Sequence, residues 1–572
     1  MSRTLFWYLF RDLLRVFVLT TLSLAGIMSF GGLLRPLTEQ GLDTAQVGKM
    51  LTYFLPAMST YSLPVAALFA TTMVYGRLAA DNELTACRAA GISFGMIALP
   101  ALVLGLTVAL SSLFLLCFVV PATTLQVERV IYSNVAKLVA NKIARDHQIR
   151  LNSGGPIIYA DSAQMIPNSG ADQIVTLTEP TIVQTDSVTD PTDPNGPKLK
   201  VPHEIYMADQ ATVWIKLNDP LAPELGMTAD VRLTNGMRFP HDFSGDKQVG
   251  VADTTVANIN MPAQIRENVK FMDVRELTGI AEDPGKSQRV KTAVAAFIYR
   301  DQDQQFLADL AAELAGPDRQ CRLPQASTEA SDPAELETFV VGRTGGTVHL
   351  EGSAVVIDSG DAPDARLATL VRLRNGNVEV RAAARRLRIE AQPQSNNQTL
   401  VVTIDLFDVV TQAGTAATPR AAFGQTVVCD MPADVRQIAQ RTLKDYNAQT
   451  HMQPGDENFL KREQLCVGND VVAELHSRAS FAVSCLILVV VGTALGLMFR
   501  SGNFLNAFAV SFLPALLTIT LIVGGQQAAG HVPDNVLGHF RDPLRAGLAL
   551  IWSGNAIVLA MAVTLSWKLS RT

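Results

Sequence analysis

Long apolar runs occur in two blocks of this chain, with a long polar stretch between them. The six runs cover residues 16–34, 53–75, 92–120, 479–499, 504–523 and 546–567. A helix of about 20 apolar residues spans the ~30 Å hydrocarbon core of a bilayer. The pattern therefore predicts six transmembrane helices, three before the polar stretch and three after it.

The first run also follows basic residues, as a signal peptide does, but it is longer than a usual h-region and no A-x-A site closes it. A transmembrane helix is therefore the preferred interpretation. Basic residues in the short loops of membrane proteins are usually retained in the cytoplasm. In this chain, most of the short-loop basic residues are cytoplasmic if both termini are inside. This orientation predicts that residues 121–477 are external.

Alternating and β-branched runs in the polar stretch predict an antiparallel β domain. They lie at residues 174–177, 211–217, 347–357 and 399–410. Asn-Gly pairs at 235–236 and 375–376 predict hairpin turns. Helices are predicted at 292–315 and, after an Asp430 cap, at 432–446. A boundary near residues 316–340 would divide the stretch into two subdomains.

Composition and motifs exclude several function classes. The chain is 48% hydrophobic and 17% charged, and its net charge of -6 with no basic stripe argues against a nucleic-acid partner. No spacing of histidines or serines predicts a catalytic or metal site, and no cofactor is predicted. The Gly285-Lys286-Ser287 tripeptide lacks the P-loop glycine, since position 280 is Ile280. Cys321, Cys429 and Cys466 lie in the stretch predicted to be external. One disulfide between two of them is therefore possible, and the third would remain a free thiol.

Residues 76–91, GRLAADNELTACRAAG, connect the second and third apolar runs. Asp81 can cap a short helix and Gly91 can end it in a left-handed turn. Glu83, Ala86 and Ala90 then share one side, so that a carboxylate projects from a small-residue surface. Such a surface fits a partner's groove that holds an arginine, but the segment also fits a simple connector.

This segment resembles the signature between helices two and three of the LptF/LptG permeases, also called the YjgP/YjgQ family. Glu474, His476 and Arg478 resemble that family's E-x-H-x-R motif before helix four. Residues 500–504 are similar to its short basic-glycine turn before helix five. The likeness covers about residues 1–280 and 470–572, and the 76–91 segment is more similar to the LptF branch.

The resemblance implies a permease subunit of an ABC transporter in the bacterial inner membrane that extracts lipopolysaccharide or a related glycolipid. Its implied partners are a cytoplasmic ATPase dimer, a second LptF/LptG-type permease subunit and a periplasmic lipid-bridge protein. Glu83 would be the carboxylate that meets the ATPase, with Arg77, Asp81 and Arg88 beside it. Helices one and five would form the lateral gates, and Arg35 matches a position that meets lipid phosphate or only anchors the helix at the interface.

The predicted fold class is an α-helical membrane protein with a large periplasmic β-jellyroll-like domain and an additional inserted α+β region. The predicted domains are 1–120 with a coupling helix at 77–91, the jellyroll-like 121–290, the inserted 291–470, and 471–572. Family members usually have a shorter external part. A membrane-anchored binding or scaffold protein, or an exporter of another lipid or of lipoprotein, remains the alternative function.

Overall fold

The computed structural model describes most of the chain. The described residues are 3–40, 44–132, 135–150, 157–166, 173–188, 199–217, 227–239, 249–261, 268–324, 337–358, 365–374, 376–393, 398–413, 416–448, 456–498, 504–532 and 542–571. Among them, six helices are long and apolar enough to cross a membrane, which confirms the predicted number.

The N-terminal block contains the first three of these spans. Its helices are α1 (Arg3–Gln40), α2 (Thr44–Ala80), α3 (Glu83–Ala89), α4 (Phe94–Phe114) and α5 (Val120–Tyr132). A π-helical turn, Leu115–Val119, joins α4 to α5. Tyr75 of α2 is fully buried and its hydroxyl donates a 2.8 Å hydrogen bond to the Ile97 carbonyl, which ties α2 to α4.

An antiparallel sheet of eight strands follows α6 (Val135–Asp146). Its strands are β1 (Gln148–Arg150), β2 (Ile157–Tyr159), β3 (Ser162–Ile166), β4 (Gln173–Thr178), β5 (Thr181–Val188), β6 (Leu199–Leu217), β7 (Met227–Phe239) and β8 (Val249–Met261). The spatial order is β1-β2-β5-β6-β4-β3, with β7 between β6 and β8. Alternate residues are buried, as where Val213 of β6 pairs with Val231 of β7, because successive side chains face opposite sides of a sheet.

A second antiparallel sheet, of nine strands, is covered by a long helix. The chain reaches it through α7 (Val274–Glu282) and α8 (Gln288–Ala315), and leaves it through α9 (Ala433–Gln437) and α10 (Leu443–Asn447). The strands are β9 (Gln320–Pro324), β10 (Glu337–Arg343), β11 (Thr347–Leu350), β12 (Ala354–Asp358), β13 (Ala368–Arg374), β14 (Asn377–Ala384), β15 (Arg386–Pro393), β16 (Thr399–Ala413) and β17 (Ala416–Asp430). Their order is β11-β12-β15-β16-β14-β13-β10-β9, and β17 pairs with β16. Leu307, Leu310 and Leu314 of α8 share a buried core with strand residues of this sheet.

The C-terminal block consists of α11 (Asp456–Met498), α12 (Phe504–Gly530) and α13 (Pro543–Arg571). Helix α11 contacts α2, α4, α12 and α13 and is the central helix of this block. A Cβ atom built at Gly496 would lie 2.8 Å from the Thr72 carbonyl oxygen, and one at Gly492 would lie 2.9 Å from the Leu68 carbonyl oxygen. The two glycines therefore let α11 approach the backbone of α2, as small residues four positions apart do in membrane helices.

The chain folds into two compact units. One contains Met1–Tyr132, Gln264–Thr292 and His451–Thr572, and the other contains Ser133–Ala263 and Ala293–Thr450. The returning segment Gln264–Thr292 belongs with the membrane helices rather than with the sheets. The four predicted segments 1–120, 121–290, 291–470 and 471–572 divide the chain differently and stay a prediction.

Three local predictions are tested by the strands and short helices. Gly376 adopts φ 77° between β13 and β14, as the predicted hairpin requires. The hairpin predicted at 235–236 is wrong, because Asn235 at φ 54° lies inside β7 at a break in its pairing with β6. The predicted 432–446 helix is interrupted between α9 and α10, and Pro432 rather than Asp430 precedes α9.

All six cysteines are free, so the disulfide that the sequence left open is absent from the structure. Cys321 and Cys429 both lie in the core of the second sheet. Burial raises the pKa of each thiol to about 12. At neutral pH both thiols are therefore protonated and behave as small apolar side chains.

We expect Gly496→Ala to lower the free energy of unfolding by about 1–3 kcal/mol, because its Cβ atom meets backbone atoms of α2 that cannot rotate away. The matched control is Gly468→Ala on the same helix, where nothing lies within 4 Å of the added atom. That change should be neutral or stabilising by about 0.5–1 kcal/mol. Thermal unfolding of the detergent-solubilised chain measures both, and equal effects would contradict the close approach of α2 and α11.

Asp303 of α8 gives the second prediction, since burial, together with the charge of Glu390, raises its pKa to about 7. The folded state then binds the proton more tightly than the unfolded state, so stability falls as the pH rises from about 4 through about 7. The free energy of unfolding of the unmodified chain should fall by an amount on the order of 1–3 kcal/mol between pH 5 and pH 8. We expect Asp303→Asn to abolish this fall. Unfolding at both pH values measures it, with the exposed Asp309→Asn on the same helix as the control. An unchanged pH dependence in Asp303→Asn would contradict this assignment.

Candidate functional site

The connection between α2 and α4 presents an exposed acidic face on the short helix α3. Leu84 is buried in the core that α2 and α4 share, whereas Glu83, Ala86 and Ala90 are exposed. Residues three and four apart lie on one side of a helix, so these three form one surface. Gly91 follows at φ 79°, the left-handed conformation predicted from the sequence.

The start of this segment differs from the prediction of one helix over 77–91. Helix α2 continues to Ala80, and Arg77 in its last turn forms an ion pair with Asp12 of α1. The N-cap of α3 is Asn82 at φ 57°, which makes no side-chain capping bond, so the predicted Asp81 cap is wrong. Asp81 lies one position before this N-cap and is exposed. Its backbone N–H donates a hydrogen bond to the Arg77 carbonyl oxygen, which continues the bonding pattern of α2. Arg77 therefore links two membrane helices.

The E-x-H-x-R residues lie on α11 and form a buried ion pair. Glu474 is 4% exposed and Arg478 is 2% exposed. The Arg478 Nε donates a 2.8 Å hydrogen bond to Glu474 Oε1, one turn away on the same helix. Glu474 Oε2 accepts a 2.7 Å hydrogen bond from Gln526 Nε2 of α12. Both oxygens of the carboxylate are therefore satisfied, one within α11 and one from α12.

Arg478 also holds the segment that returns from the first sheet. Its Nη2 lies 3.3, 3.2 and 2.9 Å from the carbonyl oxygens of Val269, Lys270 and Met272. These residues form a 3-10 turn just before α7. A guanidinium presents several donors in a fixed plane and so can serve a carboxylate and several carbonyls at once. The ion pair thus joins α11, α12 and this turn.

His476 contacts a different helix from its two motif partners. The Trp552 Nε1 of α13 donates a 3.2 Å hydrogen bond to His476 Nδ1, and the two rings are edge to face. The acceptor nitrogen must be unprotonated for this bond to form. Glu474, His476 and Arg478 together connect α11 to both remaining C-terminal helices.

The partners of this motif, and the partner of nearby Ser480, were not predicted from the sequence. Gln526 and Asn555 are polar residues inside apolar helices, and such residues are costly in a bilayer unless they have partners. Asn555 of α13 donates from Nδ2 to the Ser480 backbone oxygen and to its Oγ at 2.9 and 2.8 Å. The position of these two polar residues within apolar runs was a usable signal, but no sequence signal marked the carbonyls of Val269, Lys270 and Met272.

Two further predictions lie outside the described residues. Arg35 falls within α1, but its side chain is not among those described. Residues 499–503, which contain most of the 500–504 motif, are also outside the described range. Arg88 is among the described residues and lies half-buried in the last turn of α3. Its role beside Glu83 in contacting the ATPase stays a prediction.

Among the described residues, six helices long and apolar enough to cross a membrane and two antiparallel sheets define a multi-pass membrane protein with a large β-rich part. The family "Lipopolysaccharide export system permease LptF/LptG" matches residues 7–300 and 353–568, and the chain belongs to this family. No curated protein matches the chain. The match reaches beyond the predicted limits of 280 and 470, and only residues 301–352 of the predicted inserted region lie between its two segments.

We expect Glu474→Gln to destabilise the protein by about 2–4 kcal/mol, because it leaves the Arg478 charge buried without its counter-ion. The matched control is Glu457→Gln, which breaks an exposed ion pair with Lys461 at the same spacing on the same helix. That change should shift stability by about 0.5 kcal/mol or less. Thermal unfolding in detergent measures both changes. Similar values for the two variants would show that the buried pair contributes no more than a surface pair.

Proposed function

We propose that this chain is the permease subunit of an ABC transporter that extracts lipopolysaccharide or a related glycolipid from the bacterial inner membrane. A separate cytoplasmic ATPase dimer supplies the energy, and this chain hydrolyses no ATP. The observation that carries the proposal is the exposed face of α3, made of Glu83, Ala86 and Ala90, on a helix anchored by buried Leu84. Family membership supports it independently.

The α3 face has the chemistry of a docking surface for the ATPase. Two alanines present no side chain that would hold a partner away, and Glu83 offers an acceptor for an arginine in the partner's groove. Leu84 packs into the core formed by α2 and α4, so a push on α3 is passed to both helices. The Arg77–Asp12 ion pair extends this connection to α1. ATP-driven motion thus has a rigid path into the membrane helices.

A second permease subunit of the same family completes the lipid cavity in this proposal. Helix α1 exposes Leu19, Leu22, Ile27 and Phe30, and α12 exposes Leu513. Exposed apolar side chains on a spanning helix face lipid or another helix. Helices α1 and α12 are then the lateral gates, and the cavity between two subunits widens and collapses as the ATPase works.

The first sheet hands the extracted lipid to a periplasmic bridge protein. Its apolar side chains alternate along β4, β6 and β7, as in a jellyroll-like domain with one apolar face. The proposed orientation places both termini and α3 in the cytoplasm and both sheets in the periplasm, in agreement with the basic short-loop residues. The predicted 291–470 region, which contains the second sheet, lies on the same side.

We expect Glu83→Lys to abolish co-purification of the ATPase from mildly solubilised membranes, because it places a cation opposite the partner's arginine. The control is Thr85→Lys, which introduces the same cationic side chain on the opposite side of α3, since residues two apart on a helix face different ways. It should retain the ATPase. Quantitative mass spectrometry of the purified complex measures the ratio of the two proteins.

An ATPase that is absent from the wild-type preparation under every mild condition would contradict the proposal and favour a binding or scaffold protein. Loss of the ATPase in both variants would show a general effect of charge rather than docking of the Glu83 face. Cysteine labelling of the α3 turn from inside and outside the cell tests the orientation separately. Labelling from outside would overturn it.

A further inference from the structure

A cavity of about 210 Å³ lies among the membrane helices, next to the buried ion pair. Its apolar wall contains Tyr53, Phe54, Met58, Leu116, Val120 and Phe481. One water needs about 10–15 Å³ by the same measure, so this space is far larger than a packing defect. Leu116 belongs to the π-helical turn Leu115–Val119, and single π turns occur frequently at functional sites.

Two buried polar atoms at this cavity lack partners within the described part of the chain. They are Arg478 Nη1 and Ser477 Oγ, on side chains that are 2% and 1% exposed. Both residues line the cavity. The Cys117 thiol lies near the guanidinium, but a thiol is a weak acceptor. An unsatisfied buried donor is destabilising, so the site lacks an acceptor at this point.

The charges around the cavity favour an anionic acceptor. Glu474 offsets the charge of Arg478, and both oxygens of its carboxylate already accept hydrogen bonds. Lys270 also lines the cavity, so the group carries one excess positive charge. A free inorganic anion would fill only the polar end and leave the apolar wall empty. A molecule with one anionic head group and an alkyl chain fits both the polar end and the apolar wall of the cavity.

We propose that this cavity binds one anionic lipid within a single subunit. A head-group phosphate oxygen accepts hydrogen bonds from Arg478 Nη1 and Ser477 Oγ, Lys270 balances its charge, and one acyl chain lies along the apolar wall. The described lining of the site comes from α2, the π-helical turn, α5, the turn before α7, α11 and α12. The proposal does not rest on the export function, since it requires only the geometry of one chain.

Photolabelling of the full chain in a neutral detergent tests this binding. The probes are a phosphatidylglycerol with a diazirine in one acyl chain and a diacylglycerol with the same chain. Val120 and Phe481 are 3% and 7% exposed, so a chain in the surrounding lipid cannot reach them and one in the cavity can. We expect the phosphatidylglycerol to label these residues about tenfold more than the diacylglycerol, because only it carries an acceptor for Arg478.

Two variants separate the chain from the head group. Ala57→Phe fills the cavity and should remove the labelling, while Ala122→Phe makes the same change at an exposed position on α5 and should keep it. Lys270→Gln removes an exposed cation and should weaken phosphatidylglycerol labelling about threefold to tenfold. Excess inorganic phosphate should leave the labelling unchanged.

Equal labelling by the two probes would overturn the proposal, since the head group would then contribute nothing. Labelling of surface residues without Val120 or Phe481 would also overturn it, even if the Ala57→Phe protein failed to fold. Competition by inorganic phosphate would indicate a phosphate site instead of a lipid site. Loss of the ATPase in Glu83→Lys tests the export function and leaves this result unaffected.

Discussion

The buried ion pair between Glu474 and Arg478 is the interaction on which the membrane unit depends. Both charges are removed from water, which is unfavourable unless every donor and acceptor is satisfied. Gln526 and the carbonyls of Val269, Lys270 and Met272 provide most of those partners from separate parts of the chain, and Arg478 Nη1 lacks a partner among the described residues. The pair therefore favours this meeting of α11, α12 and the segment returning from the first sheet, because loss of these partners would leave more of the buried charge unsatisfied.

Helix α11 combines this pair with close packing near its C-terminal end. Gly492 and Gly496 let it approach α2, and α2 is in turn connected to α3 through Leu84 and to α1 through Arg77. A motion that enters at α3 can thus reach the cavity beside Arg478 through packed helices without a flexible link. In a permease, this arrangement would couple an event at α3 to the helices that surround the cavity.

The two described sheets follow simpler rules. Each sheet is antiparallel and buries alternate side chains, and α8 covers the apolar residues of the second sheet with Leu307, Leu310 and Leu314. The matched family segments include the whole first sheet and most of the second. Asp303 is the exception to this apolar packing, since burial raises its pKa to about 7 and makes the stability around α8 depend on pH.

The sequence by itself determined the six spans, the antiparallel strands, the glycine that ends α3 and the family, because apolar run length, alternation and local motifs are properties of neighbouring residues. It also indicated Glu474, His476 and Arg478 as a motif, but it could not give their partners. Only the tertiary structure decided that Asn235 is in a strand, that Arg77 pairs with Asp12, and that Gln526 and the 269–272 carbonyls meet the ion pair. These contacts join residues far apart in the chain, and a distant partner leaves no local pattern from which it could be predicted.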